Sequence, residues 1–277
     1  MNVAIIGCGY VGKAIARLWH QELGLIVTAT TTTPERVTTL KEVAQQVVVV
    51  NGNDPAGLLS VLQGQETVLL SIGAKGADVY EQTYLHTAQT LVSVLKQTPT
   101  VRQLIYTGSY AVYGDREGAW VDESSPVAPA NSNGEILAQT EQALLSTSSD
   151  NLNVCILRLG GIYGPGRELV KIFGRVAGTT RPGDGSDATN WIHLDDIVAA
   201  IEFARTRRLQ GIYNLVDDAH LTSFELLSRI CEQHSLPKVS WDSSSKSARP
   251  YNARVSNQKI KDAGYSLLHP ELTSSAP

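Results

Sequence analysis

Val3-Ala4-Ile5-Ile6-Gly7-Cys8-Gly9-Tyr10-Val11-Gly12 decides the fold of this chain. Val3 to Ile6 is a short apolar run of buried-strand length, and a GxGxxG pattern follows it without a gap. Val11, Ala14, Ile15, Leu18 and Trp19 then recur at helical spacing, and Leu25-Ile26-Val27-Thr28-Ala29 reads as a second strand. Strand, glycine turn, helix and strand form the unit that holds a dinucleotide pyrophosphate. Gly7 permits the tight turn, Gly9 lets backbone approach the phosphates, and Gly12 lets helix pack closely on strand. Tyr10, Val11 and Gly12 bring first-turn N–H groups and the positive end of the helix dipole to the anion. A strand-to-helix turn without a ligand is the alternative, and the placement of the motif between strand and helix weighs against it.

The end of the second strand selects among nicotinamide cofactors. An NAD site of this type places Asp or Glu there to accept from the ribose 2′-hydroxyl. This chain has Thr28-Ala29-Thr30-Thr31-Thr32-Thr33-Pro34-Glu35-Arg36 instead. The hydroxyls of Thr31 and Thr32 and the guanidinium of Arg36 suit a 2′-phosphate, so NADP is expected and NAD less so. The alternative is a polar turn with Glu35 facing a ribose.

Further along, Val47 to Val50 is a third strand, ended by Asn51-Gly52-Asn53-Asp54-Pro55. Asp54 there is either a base-edge contact or a plain turn former. Leu58 to Leu62 reads as a short helix and Thr67 to Ile72 as strand four, with Ser71 and Gly73 at its exit, where Gly73 lets backbone pass close to a cofactor. Asp78 to Gln97 shows a helical face of Tyr84, Thr87, Ala88, Leu91, Val92 and Leu95, and Val101 to Tyr106 is strand five. This alternation predicts an α/β, Rossmann-type doubly wound parallel sheet.

The bulk properties narrow the function classes. At 277 residues, 42% hydrophobic and 18% charged, the chain can bury a full core rather than remain disordered. A net charge of −4 gives no reason to expect nucleic acid or an anionic membrane. No apolar run reaches membrane-span length, and the first strand occupies the place of a signal peptide's basic region, so a cytoplasmic location is expected. Cys8, Cys155 and Cys231 are odd in number and far apart, as suits reduced thiols. The six histidines show no HxxxH spacing and no CxxC exists, so no metal site is expected. A GxSxG elbow is absent as well.

Thr107-Gly108-Ser109-Tyr110-Ala111-Val112-Tyr113-Gly114 resembles the end of strand five in extended short-chain dehydrogenase/reductases, the sugar-nucleotide epimerase/dehydratase group. Ile156-Leu157-Arg158-Leu159-Gly160-Gly161-Ile162-Tyr163-Gly164-Pro165-Gly166-Arg167 is similar to that family's sixth strand and its Arg-x-x-x-x-Tyr-Gly-Pro-Gly-Arg signature. Trp191-Ile192-His193-Leu194-Asp195-Asp196-Ile197 resembles the later Asp-Asp segment that opens a helix, and Tyr213-Asn214-Leu215-Val216 the strand after it. The resemblance runs from residue 3 to about residue 265. It implies a dinucleotide domain (1–165) and a smaller C-terminal substrate lobe (166–277) whose segments are free to interleave. The GxGxxG spacing, in place of the family's usual GxxGxxG, marks an atypical branch.

The resemblance also implies a Ser or Thr, a Tyr and a Lys as the chemical groups, with Tyr and Lys at i and i+4 on one helix. Counting back from Glu141 puts Asn133 at the Tyr position and Leu137 at the Lys position; Ser109 falls at the Ser position. Asn cannot relay a proton at neutral pH, and Leu can neither tune a pKa nor anchor a ribose. Glu135 is the one neighbouring acid. Tyr113 is therefore the first candidate for another proton donor and Tyr163 the second, each weighed against a packed aromatic bonded to its surroundings. Ser109 is weighed against a strand-end serine satisfied locally. An NADP-dependent oxidoreductase or epimerase-like activity on a small carbonyl or sugar-derived substrate is expected; a non-catalytic redox sensor is the alternative. A fold that has lost both functions is the third reading.

The remainder predicts a cover for the substrate: a Gly164–Arg167 turn, a helix over Leu169 to Val176 and a polar loop from Gly178 to Asn190. Arg167 and Arg181 are either ligands for an anionic group or solvated charges. His193 is expected to hydrogen-bond Asp195 or Asp196, with Asp195 capping a helix. Leu221 to Gln233 reads as a helix opened by Thr222 or Ser223 with Glu225 in a capping box. Lys238 to Arg249 reads as a mobile loop, Ser256 to Gly264 as a short helix, and Leu272 to Pro277 as a fraying tail. Either a monomer or a homodimer is compatible with the sequence.

Overall fold

Seven strands alternate with helices, as the apolar runs require. The computed structural model describes residues 1–272, so the tail expectation beyond Leu272 lies outside the described residues. The central strands are β1 (Asn2–Ile6), β2 (Ile26–Thr31), β3 (Gln46–Val49), β4 (Thr67–Leu70), β5 (Gln103–Ser109), β6 (Asn153–Leu159) and β7 (Gly211–Leu215). Their order across the sheet is β7-β6-β5-β4-β1-β2-β3. β1 pairs in parallel with β2 (Val3 opposite Val27) and with β4 (Val3 opposite Thr67), and β2–β3 and β4–β5 are parallel too. The order reverses between β1 and β4, and in open α/β sheets such a switch point opens a crevice beyond the strand carboxyl ends.

Two compact units divide the chain. The first comprises Met1–Ser109, Ser132–Arg158 and Val198–Tyr213; the second comprises Tyr110–Asn131, Leu159–Ile197 and the chain from Asn214. In the first unit β4 is buried along its whole length and β1 along all but its first residue, which is why both read as continuous apolar runs rather than alternating ones. Ala4, Ile6, Val68, Leu70, Leu104 and Tyr106 pack there in one core with helix residues such as Leu58, Leu91 and Leu144. In the second unit Tyr163, Leu169, Leu221, Leu226 and Ile230 form a smaller core.

Helices used below are α1 (Tyr10–Arg17), α2 (Pro55–Leu62), α3 (Thr87–Leu95), α4 (Ser132–Leu145), α5 (Leu194–Arg207) and α6 (Ser223–Gln233). Four expectations need correction. The helix read over Asp78 to Gln97 is helical without a gap from Tyr80 to Leu95 but not uniformly α: a 3₁₀ turn (Ala77–Val79) precedes it and a π turn (Gln82–His86) leads into α3. Thr87 causes part of this: its hydroxyl lies 3.5 Å from the Gln82 carbonyl and 3.4 Å from Asn53 Oδ1, and a side chain on Gly52 would collide with it. The polar loop Gly178 to Asn190 and the loop Lys238 to Arg249 each contain a short strand, Thr180–Pro182 and Ser240–Asp242, and these pair in parallel. Asp195 lies inside the first turn of α5 rather than at its cap, because the helix begins at Leu194. At α6, by contrast, Thr222 accepts from the Glu225 N–H (3.2 Å) while Glu225 accepts from the Thr222 N–H (2.8 Å), a complete capping box.

Candidate functional site

The exits of β1, β2, β3 and β4 line a cavity of about 320 Å³ in the first unit. Gly7, Cys8 and Gly9 come from the first exit, Thr30 to Thr33 and Arg36 from the second, Val50 to Gly52 from the third, and Ser71 to Gly73 and Lys75 from the fourth. Gln82, Thr83 and Thr87 on the helical run from Tyr80 to Leu95 contribute as well.

The three glycines differ in what their missing side chains allow. Gly7 has φ +85, and a Cβ on it would come within 2.5 Å of the Ser71 carbonyl oxygen. A Cβ on Gly12 would come within 2.7 Å of the Gly7 carbonyl oxygen, so helix could not seat against turn. Gly9 has no heavy atom within 4 Å of that position. Packing therefore explains Gly7 and Gly12, whereas at Gly9 the hydrogen keeps a space clear at the cavity wall. The loop is pinned to β2 by Cys8 N–H to the Thr30 carbonyl (2.9 Å) and by Gly7 N–H to Thr30 Oγ1 (3.0 Å). The N-cap of α1 is Gly9, which has no side chain to cap the helix, and a helix start of this kind suits an anion.

The cavity's charge is one-sided. Arg36 and Lys75 line it, and among the described residues no Asp or Glu does. Lys75 Nζ donates to Thr33 Oγ1 (3.3 Å), and the Thr33 N–H donates to Thr31 Oγ1 (3.1 Å), so hydroxyls and cations form one surface. Arg36 is half-buried, and Glu35 is exposed and outside the lining. Burial pushes the Cys8 thiol up to about 11, against the opposing pull of Arg36 and Lys13, so it is a neutral thiol at physiological pH.

Of the residues singled out in the sequence, Gly7, Gly9, Thr31, Thr32, Arg36, Ser71 and Gly73 line the cavity. Tyr10, Val11 and Gly12 form the first turn of α1 and are not in the lining. Asp54 is not there either: its carboxylate accepts from the Gly57 N–H at 3.0 Å and caps α2. Lys75 escaped the sequence reading. Its signal was present, a cation two residues beyond the glycine at the exit of β4.

Asn133 and Leu137 both lie on α4, and Leu137 is buried. Glu141, one turn on, is committed to a buried two-point ion pair with Arg158 on β6 (2.7 Å and 3.1 Å). Burial raises the Glu141 carboxyl above the usual carboxylate range, and Arg158 opposes that shift. Glu135 is exposed, and Ser109 ends β5. In the second unit Tyr113 is fully buried and its hydroxyl donates to Asn214 Oδ1 at 2.8 Å. Tyr163 is fully buried and meets His193 edge-on at 5.0 Å between ring centres. Both tyrosines thus occupy packed surroundings. Arg167 and Arg181 belong to the second unit, Arg167 in a turn and Arg181 on a short strand.

Known proteins resemble this chain in sequence and in fold. Protein YeeZ of Escherichia coli K12 is 30% identical over 229 residues, covering 79% of this chain and 78% of its own. A solved structure of a conserved protein of unknown function from Silicibacter pomeroyi has a TM-score of 0.79 at 25% identity, covering 98% of this chain and 94% of that one. A dTDP-glucose 4,6-dehydratase from Bacillus anthracis, solved with NAD, has a TM-score of 0.79 at 17% identity and covers 97% and 92%, a likeness of fold. Residues 3–215 match the profile of the NAD dependent epimerase/dehydratase family, and the chain belongs to that family.

Proposed function

We propose that this chain binds NADP(H) in the first unit and acts as an atypical oxidoreductase or epimerase-like protein on a small carbonyl or sugar-derived substrate. The single observation that carries the cofactor reading is the cavity wall: two cations, a run of threonines and no carboxylate. A 2′-phosphate gains charge-assisted hydrogen bonds from such a wall, and an acid at the end of β2 would repel it. The open space at Gly9 and the uncapped start of α1 fit a pyrophosphate. Gly7 and Gly9 with the first turn of α1 would hold that group, and Thr31, Thr32, Arg36 and Lys75 the 2′-phosphate. When bound, the nicotinamide supplies hydride transfer.

A second reading, a non-catalytic NADP(H) sensor, is favoured by Asn133 and Leu137 in place of the proton donor and its lysine. A panel of carbonyl and alcohol substrates separates the two. Consumption of NADPH with a carbonyl member, formation of NADPH from NADP+ with an alcohol member, or conversion of a sugar-derived member without net cofactor turnover supports the enzyme, and tight binding with no product from any member supports the sensor.

A further inference from the structure

His193, Asp195 and His269 are far apart or unremarkably spaced in sequence, yet they offer three ligand atoms within 4.8 Å of one another in the second unit. Asp195 Oδ2 lies 3.5 Å from His193 Nδ1 and 3.3 Å from His269 Nε2. Metal–ligand bonds of about 2.0–2.1 Å in a tetrahedron give ligand–ligand edges of roughly 3.3–3.4 Å. Both measured edges are close to that value; the two imidazole ring centres are 3.9 Å apart at 40°, so the rings would swing apart to present both nitrogens to one tetrahedral ion. We propose that His193, Asp195 and His269 bind a divalent first-row transition ion such as zinc, and that the ion fastens the Tyr265–His269 segment to the start of α5.

The donor chemistry agrees with the class of ion. Two imidazoles and one carboxylate suit zinc and its neighbours, whereas magnesium and calcium favour all-oxygen sites. The Asp195 N–H donates to His193 Nδ1 (3.2 Å), so that nitrogen carries no proton, and an ion would take over the lone pair that this contact now uses. A fixed outer layer orients the ligands. Asp196, fully buried, accepts from Leu268 N–H (2.6 Å), His269 N–H (2.9 Å) and the Tyr265 hydroxyl (3.0 Å), so the backbone carrying His269 is held independently of any ion. The Tyr163 ring packs on His193 from another side. Such outer partners set ligand geometry in metal sites. The carboxylates of Asp195 and Asp196 outweigh the partial positive charge at the α5 start, which alone would repel a cation. Three protein ligands leave a fourth position for water.

The sequence expectation of no metal site rests on spacing rules that look for ligands one or two turns apart, whereas here the third ligand lies 74 residues downstream of Asp195. The test uses the full chain without an affinity tag, stripped with chelator, and Co²⁺ as probe. One equivalent taken up with the visible bands of a tetrahedral or five-coordinate N/O site, and a raised melting temperature, is the expected result. Asp195→Asn and His269→Ala, both at partly exposed side chains, should each weaken uptake by roughly tenfold or more, while the metal-free melting temperature stays near that of the parent. No stoichiometric uptake, or uptake unchanged in both variants, would overturn the proposal.

Discussion

Individual residues carry the nucleotide reading, and the three glycines separate packing from binding most cleanly. Gly12→Ala forces a Cβ against the Gly7 carbonyl at 2.7 Å, so chemical denaturation should show a loss of about 1–3 kcal/mol. Gly9→Ala meets nothing within 4 Å. Its denaturation midpoint should stay close to that of the parent, while NADPH affinity falls by roughly tenfold or more, the loss of a charge-assisted phosphate contact. Equal effects of the two variants on stability would show that Gly9 is also a packing position. The turn role of Gly7 and the packing role of Gly12 were legible in the sequence because a tight turn and a close helix contact admit only glycine. Lys75 was missed because its one signal, a position two residues beyond Gly73, is shared by many surface lysines; only the fold brings it to Thr33. Tyr113 was legible as a residue but not in its role, because hydrogen bonding to Asn214 depends on a residue 101 positions away.

At the scale of elements, the buried Glu141–Arg158 pair joins α4 to β6. Removing one partner leaves an uncompensated charge in the core, so Arg158→Met should cost about 3–5 kcal/mol in a urea melt. Combining it with Glu141→Leu should restore much of that loss, since an apolar pair of similar size avoids the desolvation cost. A double variant as unstable as the single one would mean that the pair contributes through geometry beyond its charges. Strand positions were readable from apolar runs because the parallel sheet is covered on both faces. The π turn over Gln82 to His86 was not, because the Thr87 contact that contributes to it reaches a loop distant in sequence. Nor were the paired strands Thr180–Pro182 and Ser240–Asp242, each too short to carry a period of its own.

For the whole molecule, pH acts through a buried acid. Burial, with Asp218 and Asp196 nearby, pushes the Asp217 carboxyl up to about 7. The unfolded chain releases that proton near pH 4, so between about pH 4 and 7 the native state holds more protons and stability falls as pH rises. The full effect is at most about 4 kcal/mol, complete above the folded value. Asp217→Asn should therefore gain on the parent as melting curves move from pH 5 to pH 8; parallel curves would contradict the assignment.

The central claim, an NADP(H) site built on Thr31, Thr32, Arg36 and Lys75, is tested most directly by calorimetric titration of NADPH and NADH into the parent and Arg36→Ala. The account predicts tighter binding of NADPH, a loss of roughly ten- to a hundredfold for NADPH in the variant, and unchanged NADH binding. A parent that prefers NADH, or a variant that weakens both nucleotides equally, would contradict it.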